Sequence, residues 1–182
     1  MLRAVSGALN KVSGNIVPVW NEHMPTGAPR LPAANVPSVG LTSSKGLPRK
    51  VVYMPSCVTR MMGPSRGDDA AGDEAVHAKF LSLLDKAGYE VVVPDEIGSM
   101  CCGMIMDSRG FRTVGADQSG DMQARLLEAS DRGRIPIVCD TSPCLQRMKE
   151  KFDDPLLKLA LYEPVQFISL YLKKELDFSK VR

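Results

Sequence analysis

Long hydrophobic runs and an excess of one charge are both missing from this chain. No stretch of its 182 residues approaches the roughly 18 consecutive apolar residues of a membrane-spanning helix, so we expect no transmembrane segment, which leaves association with a membrane complex open. The 23 basic and 21 acidic residues give a net charge of +2, without a dense basic cluster. We therefore expect no nucleic-acid partner.

Several kinds of catalytic group are also scarce. The chain has only two histidines, and Asp140 and Ser142 lack a histidine base, so the sequence gives no support to hydrolase chemistry. A glycine-rich phosphate loop with lysine is absent as well. These absences leave cysteine as the residue type able to carry chemistry.

The chain contains five cysteines, at positions 57, 101, 102, 139 and 144. An odd count, an adjacent pair and the lack of a secretory signal argue against the disulfide framework of a secreted protein. We therefore predict free or metal-bound thiols in a reducing compartment.

The remainder of the chain alternates short apolar runs with helical periodicity. Strands are predicted at 50–54, 89–93 and 135–138, and 156–161 is compatible with either a strand or a helix. Helices are predicted over 73–87, around 122–129, from 141 or 142 onward, and from 163 onward, with exposed loops at 60–73 and 107–115. This alternation predicts an α/β fold, a single Rossmann-like domain with a parallel sheet.

Each cysteine group follows a predicted strand, and the carboxyl ends of parallel strands share one edge of the sheet. We therefore expect the five thiols to meet there, where soft sulfur ligands favour zinc or an iron–sulfur cluster. Cys144 is predicted near a helix N-terminus that would lower its pKa. Gly103 and Ser142 are candidate neighbours of the bound group. The alternative is that one or two cysteines are small core residues.

The N-terminal part differs in composition from the remainder. Residues 1–21 contain no acidic residue and place apolar side chains on one face of a possible helix, a pattern typical of a mitochondrial presequence or of an ordinary amphipathic helix. Residues 20–49 are rich in Pro, Gly and Ser and predict an extended arm. We therefore divide the chain into an arm, 1–49, and a cysteine-rich domain, 50–182. Mitochondrial location is favoured, with the cytoplasm as the alternative.

Five segments carry a resemblance to a known family. VVYMPSCVTRMMG, DEIGSMCCGM, SRGF and CDTSPC resemble the cysteine-rich CCG domain found in heterodisulfide reductase and in the iron–sulfur component of glycolate oxidase. They are most similar to the C-terminal iron–sulfur domain of FAD-linked D-lactate dehydrogenases. VPVWNEHMPTGAPRLP resembles the segment that precedes the domain there.

The resemblance implies a cluster of the four-iron type, with zinc as the alternative. The ligands it implies are Cys57, Cys101, Cys102, Cys139 and Cys144. Cys139 and Cys144 are spaced more widely than the corresponding cysteine pair of heterodisulfide reductase. Which of the two is a ligand therefore stays open.

A flavin domain like that of the resembling dehydrogenases is not found in the sequence. The resemblance therefore implies an electron-transfer module or subunit of an oxidoreductase that works with a separate flavoprotein oxidising D-lactate or another 2-hydroxyacid. The alternative is an accessory structural subunit of a mitochondrial respiratory complex, with zinc or no metal in the site.

Overall fold

A computed structural model describes residues 2–21, 23–28, 31, 49–65, 74–152, 159–177 and 179. Within this part the strands are β1 (Pro25–Gly27), β2 (Lys50–Met54), β3 (Met62–Ser65), β4 (Glu90–Val92), β5 (Ile137–Cys139) and β6 (Leu161–Tyr162). The helices are α1 (Leu2–Val12), α2 (Cys57–Met61), α3 (Val76–Lys86), α4 (Met104–Ser108), α5 (Arg112–Ala129), α6 (Ser142–Lys151) and α7 (Pro164–Phe167). A 3-10 turn, Ile97–Ser99, follows β4, and a π-helical segment, Ile168–Leu172, continues α7.

The main sheet is parallel and has the strand order β4-β2-β5-β6. From β2 the chain moves outward to β4 and then returns to the other side of β2 to form β5. The strand order therefore reverses between β2 and β5, where open α/β sheets form a crevice beyond the strand ends. The predicted α/β fold is confirmed.

Both faces of this sheet are covered by helices. Successive residues of a strand point to opposite sides, so each strand contributes to two cores. Val51 and Tyr53 face a core that includes Phe80 of α3 and Phe167 of α7. The alternate residues of β2 face a second core formed with α5 and α6, to which three of the cysteines belong. Covered faces explain why the strands are continuous apolar runs rather than alternating ones.

Before the main sheet, the described N-terminal residues form a helix and a short strand. β1 pairs antiparallel with β3, so part of the loop predicted at 60–73 is a strand. The predicted helix cap Asp73, residues 1, 22, 29–30 and 32–48 of the arm, and residues 156–158 lie outside the described residues. No helix in the described part of the chain is both long and apolar enough to cross a membrane.

The predicted loop at 107–115 is largely helical, since α4 and α5 together occupy most of it. The reason is a close packing of backbone on backbone. A Cβ on Gly103 would overlap the carbonyl group of Gly115, with the carbonyl carbon 2.8 Å away. Gly103 and Gly115 therefore allow α4 and α5 to pack closely, although glycine in a sequence usually indicates a loop.

Candidate functional site

The five cysteines lie at the carboxyl edge of the main sheet. Cys57 is the first residue of α2 and is separated from β2 by Pro55 and Ser56, and Cys139 is the last residue of β5. The adjacent pair follows β4 and its 3-10 turn, and Cys144 lies in the first turn of α6. The chain reaches this edge at the ends of β2, β4 and β5, and each of these three passages delivers one cysteine group.

The thiols are close enough to affect one another's ionisation. Burial raises the pKa of Cys101, and the charges of Cys102 and Cys57 add to this effect. The hydrogen bond with Cys102 and burial raise the pKa of Cys144, and the charges of Cys102, Cys139 and Cys57 add to it. Cys57 and Cys101 are half-buried, whereas the other three are buried. The five cysteines thus lie at one edge of the sheet, and their role as ligands of a shared group stays a prediction.

Cys102 and Cys144 are in direct contact, with 3.5 Å between their Sγ atoms. Their hydrogen bond lowers the pKa of Cys102 to about 6, an effect that the Met104 amide and Arg147 reinforce. The same bond raises the pKa of Cys144. The contact favours ionisation of Cys102 over Cys144, which is opposite to the lowering predicted at Cys144 from its place near a helix N-terminus.

Two further thiols are affected mainly by burial. Burial raises the pKa of Cys139 to about 12, and the Cys139 Sγ atom lies 3.7 Å from the Thr141 carbonyl oxygen. Burial also raises the pKa of Cys101, and the Gly103 amide, donating to its Sγ atom at 3.4 Å, partly offsets this. Gly103 adopts φ +76°, which glycine does without strain. As expected, its amide reaches a cysteine sulfur.

A carboxylate ties two of the cysteine loops together. Asp140 accepts hydrogen bonds from the Tyr53 hydroxyl at 2.9 Å and from the Ser56 amide at 2.8 Å. Thr141 Oγ1 donates to Ser56 Oγ at 2.8 Å. These bonds hold the residue before Cys57 against the residues after Cys139, so the spacing of the two loops does not depend on the thiols.

Two arginines support the cysteine loops. Arg60, three residues after Cys57, donates to the carbonyl oxygens of Ile97 and Met100, just before the adjacent pair. Arg147, one turn after Cys144, pairs with Asp107 at 2.6 Å, and its side chain is only 10% exposed. Its Nε atom has no hydrogen-bond partner within the described residues.

These supporting residues were missed from the sequence. Arg60 and Arg147 each follow a cysteine by three residues, and Asp140 follows Cys139 directly, but nothing local distinguishes them from surface residues. The predicted neighbour Ser142 is exposed at the start of α6, and Thr141 makes the contact with the Cys57 loop instead.

The donors are not arranged as a closed metal site. No three His, Cys, Asp or Glu side chains of the described ranges are placed so that they could hold a metal ion. The five thiols lie at one edge of the sheet, but which of them bind a metal or a cluster stays a prediction.

No family model, curated protein or solved structure matches the chain. The proposed function therefore depends on the five cysteines at the carboxyl edge of the main sheet and on the resemblance to the CCG domain.

Proposed function

We propose that the chain is an iron–sulfur electron-transfer module or subunit that works with a separate flavoprotein of the D-lactate or 2-hydroxyacid dehydrogenase type. One observation carries the proposal, namely that five thiols from three strand ends lie at the carboxyl edge of the main sheet, on which the strand order reverses. Functional groups of open α/β sheets collect at that position. The CCG-domain resemblance supplies the kind of cofactor and partner.

The chemistry of the surrounding residues fits a thiolate-bound centre. The potential donors are sulfurs, the soft ligands that iron–sulfur clusters require. Cys102 is already biased toward the thiolate. Arg147 is paired with Asp107 but keeps an Nε donor without a partner in the described part of the chain, which suits a centre of net negative charge. We propose all five cysteines as the ligand candidates, with Gly103 presenting its amide to a ligand sulfur.

A bound four-iron cluster would supply one-electron chemistry between a flavin and an acceptor such as a quinone. The residues of this chain would set the properties of that cluster. Burial of three cysteines limits water access, and amide hydrogen bonds to ligand sulfurs raise a reduction potential. We place this module in the mitochondrion, on the basis of the acid-free N-terminal helix and the resemblance.

The first test is the iron and sulfide content of the full chain purified without air. We expect about four iron atoms per chain, with acid-labile sulfide and a broad visible absorption. In Cys102→Ser most of the iron should be lost, because this variant removes the most readily ionised sulfur.

Gln146→Ala is the matched control, since Gln146 is exposed on the same helix as Cys144 and should not alter the iron content. Full iron in Cys102→Ser would contradict the ligand assignment. A wild-type chain without iron or sulfide would contradict the proposed function.

The accessory structural role is a second candidate, and the compact packing of the thiols favours it. Cys102, Cys139 and Cys144 belong to the apolar core, and the described donors form no ready metal site. Such a domain would remain folded with zinc or without metal. Stoichiometric zinc, or no metal together with an unchanged unfolding midpoint after chelation, would favour this role over electron transfer.

A further inference from the structure

The contact between Cys102 and Cys144 has a chemical consequence apart from metal binding. Their Sγ atoms are 3.5 Å apart, and a disulfide needs about 2.05 Å, so an approach of about 1.5 Å would bring them to bonding distance. One side chain belongs to a loop and the other to the first turn of a helix. Both side chains are buried, at 4% and 6% exposure.

We propose that Cys102 and Cys144 form a reversible disulfide when the centre holds no metal, with a peroxide as the oxidant. The bond joins residues 42 positions apart. It is a property of the metal-free chain and does not depend on the proposed function.

The reaction proceeds in two steps that balance. The Cys102 thiolate attacks one oxygen of hydrogen peroxide, the O–O bond breaks, and a sulfenic acid and hydroxide form. The Cys144 sulfur then attacks the sulfenic sulfur, the S–O bond breaks, and the disulfide and water form. Two electrons pass from the sulfurs to the peroxide. A dithiol reductant returns them by thiol–disulfide exchange and is itself oxidised to a disulfide.

The neighbouring thiols are less suited to this bond. Cys101 holds its sulfur toward the Gly103 amide, and a bond to its sequence neighbour would require a strained ring. Cys139 directs its sulfur toward the Thr141 carbonyl oxygen. The disulfide would withdraw two of the five ligand candidates, so oxidised protein should take up metal only after reduction.

The test uses the full chain, freed of metal with a chelator without air and then treated with hydrogen peroxide. We expect the five thiols to fall to three, the mass to fall by about 2 Da, and peptide mapping to link the two segments. Dithiothreitol should restore all five thiols.

Adjacent cysteines provide matched controls. Cys102→Ser and Cys144→Ser should lose the link, whereas Cys101→Ser and Cys139→Ser should keep it. Five unreacted thiols, a link through Cys101 or Cys139, or sulfinic acid without a link would each overturn the proposal. The assay contains no iron, so a chain that forms this bond but never binds iron would refute only the proposed function.

Discussion

At the scale of single residues, one hydrogen bond determines which thiol ionises. Cys102 and Cys144 differ little in burial, yet the pKa of Cys102 is lowered to about 6 while that of Cys144 is raised. One sulfur keeps the proton and thereby stabilises the negative charge on the other.

Cys144→Ala should therefore raise the pKa of Cys102 from about 6 toward its ordinary range of about 8.5. At pH 7 the Cys102 thiolate would fall from the main form to a minor one, because the Cys144 sulfur that stabilises it is gone. The measurement is the pH dependence of ultraviolet thiolate absorbance in the metal-free protein.

Cys102→Ser supplies the baseline for this titration, because it removes the thiolate in question. Gln146→Ala should leave the midpoint unchanged. A midpoint near 6 that persists in Cys144→Ala would show that the hydrogen bond is not its cause.

At the scale of elements, the approach of α4 to α5 positions the loop of adjacent cysteines. Gly115 lies in α5, and a Cβ there would lie 2.8 Å from the Gly103 carbonyl oxygen and 3.1 Å from the Asp107 amide nitrogen. Because both neighbours are backbone atoms, neither can move aside without shifting α4.

Gly115→Ala should lower the free energy of unfolding by about 1–3 kcal/mol through this overlap. Gly120→Ala is the matched control on the same helix, since a Cβ there meets nothing within 4 Å and should stabilise the helix by up to about 1 kcal/mol. Urea unfolding of the two variants measures both effects. Equal effects would mean that the α4–α5 contact is not tight.

Sequence pattern predicted some elements better than others, for physical reasons. β2 has the predicted bounds, because a buried central strand is a continuous apolar run stopped by Pro55. The start of α5 was missed, because Gly115 and Gly110 signal a loop locally and only packing against α4 explains the helix. β1 and β3 were missed because each strand is short, and the pairing of such strands depends on their contact with each other more than on the local sequence of either.

At the scale of the whole molecule, the two ends of the chain contribute differently to the fold. α1 leaves Val5, Leu9 and Val12 at least half exposed. The C-terminal segment buries Phe167 and Leu172 completely in the first core. The described part of the C-terminal segment is therefore integral to the α/β unit.

Deleting residues 1–21 should change the free energy of unfolding by less than about 1 kcal/mol, since the exposed apolar residues of α1 contribute little burial. Deleting 164–182 should unfold the domain, because loss of one large core side chain alone costs about 2–5 kcal/mol of a total of about 5–15 kcal/mol. Circular dichroism and thermal unfolding measure both deletions. A large loss of stability on deleting 1–21 would mean that α1 belongs to the folded core.

The sequence by itself determined the α/β class and the attachment of each cysteine group to a strand end. Apolar runs, helical periodicity and proline or glycine stops are local properties, so they can be read without the fold. The tertiary structure decided the strand order, the support from Asp140, Arg60 and Arg147, and the contact of Cys102 with Cys144. Those features join residues far apart in the chain, and their distances follow from how helices pack on the sheet rather than from spacing along the sequence.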